Sequence, residues 1–163
     1  MQDIVAGYKR HHDGDLSHFV RDTAIQLNDT HPVLCIPELV RILQEEGFTF
    51  KQALAASQQV FSYTNHTIMA EALEKWETDL VQEILPDIFQ IIFDINAQFC
   101  GELMLQGFNR VHEIAAIQGN RIHMANLAIY ASRTTNGVAQ LHTRLLTRKV
   151  FPDFYTLYPN KFQ

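Results

Sequence analysis

Residues 25–32, IQLNDTHP, change from apolar to polar within a few positions. The residues up to Leu27 are apolar and partly β-branched from Thr23 onward, which predicts a short buried strand over 23–27. Four residues that can all form hydrogen bonds follow, and then a proline. Such residues either cap the next helix or face a ligand, and the rest of the chain is needed to choose between the two.

The composition is that of a globular domain. The chain has 163 residues, of which 47% are hydrophobic, enough to bury a core. It carries 13 basic and 18 acidic residues and no basic run, which argues against nucleic acid or an anionic membrane as a partner. No apolar run has the length of a membrane span, and no signal peptide is evident. Cys35 and Cys100 form neither a metal motif nor a disulfide framework, so a reducing, cytoplasmic setting is expected.

Strand and helix patterns alternate along the chain. Apolar residues at helical spacing predict a helix that ends near Gly47: Ile36, Leu39, Val40 and Leu43. A second helix is predicted over 50–59, with Leu54 on its inner side, and a strand over 60–64, VFSYT.

The second half of the chain has the longest helical pattern. It covers 70–99, with Pro86 as a kink or break and with Trp76 and the aromatic residues of 89–99 in the core. Lys75 is expected to pair with Glu71 one turn away on its wet face. A further helix is predicted over 108–118, a third strand over 125–131, ANLAIYA, and a last helix over about 137–148.

The first twenty-two residues form a polar, irregular or helical lead-in to the remaining 23–163. His11, His12 and His18 raise the alternative of a metal site, but they lack helical spacing to a third ligand, so a solvated, partly mobile segment is favoured. The alternation of strands and helices predicts an α/β layer with a parallel sheet. Three strands are few for this length, which indicates a piece of a larger sheet.

A polar cluster follows each predicted strand. The clusters are residues 28–31, 64–67 and 132–137, and His142 lies one turn into the last helix. Because ligands of open α/β sheets bind beyond the carboxyl ends of the strands, the three clusters are expected to line one rim. Amide, hydroxyl and neutral imidazole groups combine donors with acceptors, which suits a ligand rich in hydroxyls such as a sugar.

Each cluster also has a purely structural interpretation. Asp29 or Thr30 suits the N-cap of the next helix. Asn65 and His66 suit hydrogen bonding to loop backbone. Thr135 and Asn136 could cap the last helix, and His142, between apolar neighbours, could be a core histidine. Only the recurrence of a polar cluster after all three predicted strands favours ligand binding over these structural roles.

Four stretches of the sequence resemble, in order, a continuous internal segment of the α-glucan phosphorylases. They are IQLNDTHPVLCIPELVRIL, FSYTNHTIMAEALEKWETDLVQEILPDIFQII, RIHMANLAIYASRTTNGVAQLH and FPDFYTLYPNKFQ, and the resemblance covers roughly residues 20–163. It does not separate glycogen, starch and maltodextrin phosphorylases.

The resemblance implies a segment of the N-terminal domain of a GT-B glycosyltransferase, with a partial Rossmann-like sheet. It implies phosphorolysis of an α-1,4-glucan or maltooligosaccharide by inorganic phosphate to glucose 1-phosphate, in a full-length enzyme that is typically a homodimer. Pyridoxal 5′-phosphate would be held by a lysine in the other domain, so this segment is expected to be inactive alone and to bind no cofactor covalently. The alternatives are a non-catalytic oligoglucan-binding module or a structural helical module.

The resemblance also carries roles onto six residues. It implies that His142 contacts the glucosyl residue at the catalytic centre through the sugar's 6-hydroxyl, and that Thr143 lines the same pocket. Asp29 and His31 resemble residues beside the bound glucose, and Asn136 and Gly137 the turn that presents the histidine's helix. The chain departs from the family pattern in two places: at Arg133, Thr134 and Thr135 before the Asn-Gly pair, and at Arg144, where an acidic residue is usual.

Overall fold

The computed structural model describes residues 1–163. The strands are β1 (Ile25–Asn28), β2 (Phe61–Asn65), β3 (Lys75–Glu77), β4 (Ile117–Gln118), β5 (Arg121–His123) and β6 (Thr134–Gly137). The helices are α1 (Gln2–His11), α2 (Phe19–Asp22), α3 (Cys35–Glu45), α4 (Phe50–Val60), α5 (Thr78–Ile84), α6 (Pro86–Leu105), α7 (Val111–Ile114), α8 (Met124–Ala131), α9 (Gln140–Leu145) and α10 (Pro152–Leu157). Short 3-10 turns lie at Ala70–Ala72 and Pro159–Lys161, and a π-helical turn at Leu146–Val150.

The main sheet is parallel, with the strand order β1-β2-β6. Its central strand β2 alternates between a buried face, with Phe61, Tyr63 and Asn65, and a half-exposed face, with Ser62 and Thr64. The helices pack on the buried face. This confirms the predicted α/β class with a parallel sheet. A second, antiparallel sheet with the order β3-β5-β4 was not predicted.

Helices α3 and α4 confirm the sequence patterns. The apolar stripe of α3 is buried, and Gly47 follows the helix with a φ of 93°, a left-handed conformation that favours glycine. At the start of α4, the Thr49 hydroxyl accepts from the backbone N–H of Gln52, and the Gln52 side chain accepts from the backbone N–H of Thr49. This reciprocal capping box fixes the turn between the two helices.

Replacing Thr49 by alanine is expected to lower the free energy of unfolding by about 1 kcal/mol, because it leaves a first-turn N–H without its acceptor. Urea denaturation of the variant measures the loss. Thr49→Ser keeps the hydroxyl and serves as the matched control. An equal loss in both variants would contradict the capping role.

The expected strand at 125–131 is wrong, because these residues form helix α8. All eight of its residues are buried, so apolar residues occur on every side of the helix instead of at a helical or strand spacing. Without such a spacing the sequence pattern does not distinguish a buried strand from a buried helix. The third strand of the parallel sheet is the more polar β6, four residues long, which follows α8 directly.

The continuous helix expected before Pro86 is also wrong. The segment contains a 3-10 turn, strand β3 and the short helix α5. Because Lys75 and Trp76 lie in a strand, the expected helical pairing of Lys75 with Glu71 does not form, and Trp76 is 44% exposed rather than in the core. Pairing of β3 with β5 outweighs the local helical pattern here.

Helix α6 begins at Pro86, which confirms the predicted interruption. Its inner face lies in the core and includes Ile92, Ile95 and Phe99, whereas Phe93 is 52% exposed, so only part of the expected aromatic core is present. Contrary to the expectation from the apolar runs, α6 is long and apolar enough to cross a membrane by length and composition. One such helix with a buried face is weak evidence for a span.

The lead-in is mostly helical, which is one of its two predicted forms: α1 packs through Val5, and Lys9 pairs with Glu46. Two smaller expectations are corrected. The helix expected over 108–118 is the short α7 followed by β4, and the last helix begins at Gln140 rather than at Gly137, since the latter still belongs to β6.

The C-terminal end of the chain ties α8 to the core. The Lys161 ammonium donates to the backbone carbonyls of Ile129, Tyr130 and Ser132 at 2.9, 2.6 and 2.6 Å. Burial lowers the pKa of Lys161 to about 8. Lys161 therefore satisfies carbonyls at the end of α8 that have no partner further along the helix.

Candidate carbohydrate site

The carboxyl ends of the three parallel strands lie side by side. In the register of the sheet Asn28 pairs with Thr64, and Thr64 with Asn136. These three polar residues therefore form one row across the half-exposed face, at the edge where ligands of open α/β sheets bind. The predicted common rim is present, although the third strand that supplies it is β6 rather than residues 125–131.

Hydrogen bonds join this row into one network. The Thr64 hydroxyl donates to Asn136 Oδ1 at 3.0 Å and accepts from Gln26 Nε2 at 2.7 Å. Asn28 Oδ1 lies 2.6 Å from His66 Nε2, so a neutral His66 with its proton on that nitrogen donates to Asn28. The side chains of His66 and Asn28 are exposed and remain open to a ligand.

Asp29 adopts an uncommon backbone conformation beside this network. Its φ is 67°, in the left-handed region, where aspartate is better tolerated than most residues. Its N–H donates to the carbonyl of Thr64 at 2.9 Å, and its carboxylate accepts from the N–H of Thr30 at 2.7 Å. Strain of this kind is concentrated at functional sites, which supports a role for Asp29 there.

Neither Asp29 nor Thr30 caps helix α3, which begins several residues later with Leu34 as its N-cap. The Thr30 hydroxyl instead donates to the Glu74 carboxylate, which also accepts from the Trp76 indole at 2.9 Å. Glu74 thus connects the loop after β1 to the second sheet. No sequence pattern indicated this role, since it depends on the position of β3.

The third strand leads directly into the predicted histidine helix. The N–H of Gly137 donates to the Thr143 hydroxyl at 2.9 Å, and the N–H of Val138 donates to His142 Nδ1 at 3.2 Å. A Cβ at Gly137 would lie only 2.8 Å from the backbone nitrogen of Thr143. The close contact between β6 and α9 therefore requires glycine. Gly137 and Asn136 are strand residues, not the expected turn.

His142 is buried with one ring nitrogen unused. Its side chain packs in α9, Nδ1 accepts the backbone hydrogen bond, and Nε2 has no partner within the chain. Because Nδ1 accepts, the neutral ring carries its proton on Nε2, which is a buried donor without a partner. The neighbouring Val138 and Leu141 are mainly exposed, so the expected apolar surrounding of His142 is only partial.

The remaining residues divide between site and structure. His31 is exposed and makes no side-chain hydrogen bond. Asn65 is fully buried and holds the loop after β2, since its Oδ1 accepts from the N–H of Thr67 and its Nδ2 donates to the Tyr63 hydroxyl. Asn65 thus has the structural role proposed as its alternative. Burial raises the pKa of Tyr63, and the carboxylates of Asp29 and Glu74 raise it further.

An open cleft of about 500 Å³ adjoins the end of β6. Gly137 and Thr143 line it together with Arg144, one of the residues that depart from the phosphorylase pattern. Arg144 has no acidic partner within the chain, so it adds an uncompensated positive charge beside the predicted site.

Comparison with known proteins identifies the family. The family model for carbohydrate phosphorylases matches residues 1–163. The chain belongs to the carbohydrate phosphorylase family. It is 39% identical to an α-glucan phosphorylase, H isozyme, of Solanum tuberosum, 44% to glycogen phosphorylase 2 of Dictyostelium discoideum and 39% to the liver glycogen phosphorylase of Homo sapiens. Each alignment covers 100% of this chain but only 21, 17 and 21% of the relative, so the chain spans about a fifth of their length.

The lysines of this phosphorylase chain do not fit a Schiff base with pyridoxal 5′-phosphate. Lys161 is the buried one, and three backbone carbonyls already accept from its ammonium. The others, Lys9, Lys51, Lys75 and Lys149, lie at the surface or near it. We therefore assign no step of the cofactor's chemistry to these residues.

Proposed function

We propose that this chain supplies part of the glucan site of a phosphorylase, which transfers a glucosyl unit from an α-1,4-glucan to inorganic phosphate and forms glucose 1-phosphate. The observation that carries this proposal is the single rim at which β1, β2 and β6 end, lined by amide, hydroxyl and imidazole groups. Such groups bind sugar hydroxyls without ionising. The names of the relatives support the same substrate class.

In this proposal the chain belongs to the N-terminal domain of a GT-B enzyme. The second domain would supply the phosphate site and pyridoxal 5′-phosphate, and the full-length protein would be a cytoplasmic homodimer. The exposed, polar face of the sheet is consistent with a cleft that a second domain completes.

The proposed roles are those of neutral, positioning contacts. Asp29 and His31 would bind hydroxyls from the β1 side, and Asn136 from the β6 side. Gly137, at the end of the same strand, would hold Thr143 and the catalytic-centre residue His142, whose unpaired Nε2–H would donate to the sugar. Positioning and electrostatic contacts of this kind are worth several kcal/mol at a glycosyl transition state.

The structure supports a further sugar-contacting residue, His66. Its ring is exposed at the end of the central strand and hydrogen-bonds to Asn28, whereas the ring of His142 is buried against its own helix. Because its Nε2–H donates to Asn28, the neutral ring leaves Nδ1 as an exposed acceptor for a sugar hydroxyl at the centre of the rim. We therefore include His66 with His142 in the glucosyl site.

Maltoheptaose binding to the 163-residue chain tests the site. Replacing His66 or Asn136 by alanine is expected to weaken binding up to about tenfold, because each loses a hydrogen bond worth about 0.5–1.5 kcal/mol. Saturation-transfer NMR and a chemical-shift titration measure the affinity. His142→Ala is expected to weaken binding as well if Nε2 faces the sugar.

His112→Ala is the matched control, since its side chain is 81% exposed on α7, away from the rim. Unchanged binding in His66→Ala, Asn136→Ala and His142→Ala would contradict the proposed site. Equal weakening in the control would indicate non-specific contact.

Release of glucose 1-phosphate distinguishes the phosphorylase from a non-catalytic oligoglucan-binding module. The poor fit of these lysines to the cofactor favours binding without chemistry for the chain alone. We expect no glucose 1-phosphate from the 163-residue chain with maltoheptaose, phosphate and pyridoxal 5′-phosphate. We expect product from the longest protein that its gene encodes, and less after His66→Ala. If the full-length protein binds the glucan but releases no glucose 1-phosphate, the phosphorylase hypothesis is wrong and the chain belongs to a non-catalytic oligoglucan-binding protein.

A further inference from the structure

The second sheet places two basic groups side by side, away from the sugar rim. Strands β3 and β5 are antiparallel, and their register pairs Lys75 directly with His123. Side chains so paired lie on the same face about 5 Å apart at Cβ, and like charges there destabilise the sheet. Burial lowers the pKa of His123, and the positive charges of Lys75 and Arg121 lower it further.

A cleft of about 400 Å³ opens beside this pair. Lys149, from the π-helical turn after α9, lines the cleft together with Lys75, His123 and Arg110. Basic side chains from four separate parts of the chain thus converge on one volume, in a protein whose formal net charge is −5. The local charge is opposite to that of the whole molecule.

The two acidic residues of this cleft are already paired. Asp153 forms an ion pair with Arg110, and Glu113 lies 3.5 Å from the same guanidinium. Neither Lys75 nor Lys149 forms an ion pair within the chain. The two acids face Arg110 and exceed its charge by one, and neither contacts Lys75 or Lys149. The three cationic and two acidic residues of the cleft therefore leave a net charge of +1, with both lysines free to bind an anion.

We propose that this cleft binds a phosphate monoester, with Lys75 and Lys149 as the charged donors and His123 as a third donor. The two positive charges of the ammonium groups balance the two negative charges of a phosphate monoester. Lysine binds phosphate as a compact point charge. The volume exceeds that of a free phosphate and leaves room for the small organic part of an ester. The site is separate from the sugar rim and does not depend on its function.

A titration followed by NMR of the 163-residue chain tests this site. We expect the amide signals of Lys75, His123 and Lys149 to shift with glucose 1-phosphate, and less strongly with inorganic phosphate, at constant ionic strength set with sodium chloride. The double variant Lys75→Gln, Lys149→Gln is expected to weaken the ester's affinity about tenfold or more, since charge-assisted hydrogen bonds are worth about 1.5–3 kcal/mol each. Both lysines are exposed, so the variant should fold.

Lys51→Gln is the matched control, because Lys51 is an exposed lysine on α4 outside the cleft. The control should keep the wild-type affinity. Equal affinity for inorganic phosphate and the ester would assign the site to free phosphate. Affinity unchanged by the double variant, or equal shifts with chloride alone, would overturn the proposal.

Discussion

Replacing Gly137 by alanine is expected to destabilise the chain by about 1–3 kcal/mol and to displace helix α9. The added Cβ would lie 2.8 Å from the backbone nitrogen of Thr143, and 2.9 and 3.0 Å from Cγ and the carbonyl carbon of His142. Two of these three atoms belong to the backbone, so rotation of a side chain cannot relieve the contact. Urea denaturation measures the loss, and the amide signals of Thr143 and Val138 report the displacement.

The same substitution should also weaken maltoheptaose binding, because His142 and Thr143 are held in place by contacts with this end of β6. Gly101→Ala is the control. It lies inside α6, where an added Cβ meets no atom within 4 Å, and alanine there should stabilise the helix by about 0.5–1 kcal/mol. A Gly137→Ala chain as stable as the wild type, with unmoved α9 signals, would show that the strand and helix can separate freely.

Replacing Lys161 by methionine is expected to lower the free energy of unfolding by about 2 kcal/mol. The change removes the ammonium from the carbonyls of Ile129 and Ser132, whereas the carbonyl of Tyr130 still accepts from Gln58 Nε2 at 3.2 Å. Each unsatisfied buried polar group costs about 1–3 kcal/mol. Methionine has similar length, so a cavity is not the main cause. Thermal and urea unfolding measure the loss, with Lys51→Met as the exposed control.

The pH dependence of the free energy of unfolding provides a second test of the burial of Lys161. Its pKa is about 8 in the folded chain and 10.5 when unperturbed, so between these values the unfolded state binds more protons. The free energy of unfolding attributable to this group should therefore rise with pH from about 8 to 10.5. The slope should be absent from Lys161→Met. A slope equal in both proteins would contradict the burial of the amine.

The family and the common edge of the polar strand ends were predictable from the sequence, whereas several elements around them were not. The motifs NDTHP and YTNHT begin in the last residues of β1 and β2 and continue past the strand ends. Their position was predictable, because a strand that runs into polar residues is a local pattern of the sequence. The helices α3 and α4 were equally predictable, since their apolar spacing and stop or cap residues are local. The roles of Asp29, His31, Asn136, Gly137, Thr143 and His142 at a sugar remain predictions.

The segments that were wrongly predicted are those whose structure depends on contacts distant in the sequence. Residues 125–131 are apolar throughout because α8 is buried on all sides, so no period distinguished helix from strand. Residues 75–77 became a strand through pairing with β5, which lies more than forty residues away.

The sequence by itself determined the α/β class, the phosphorylase family and the polar character of the strand ends, since these depend on local patterns and on motif order. Only the tertiary structure decided that β6 is the third strand, that Gly137 lies against the backbone of α9 and that Lys161 holds the end of α8. Each of these depends on atoms brought together from distant parts of the chain. Their free energies arise from packing and from satisfied buried hydrogen bonds, which no local pattern encodes.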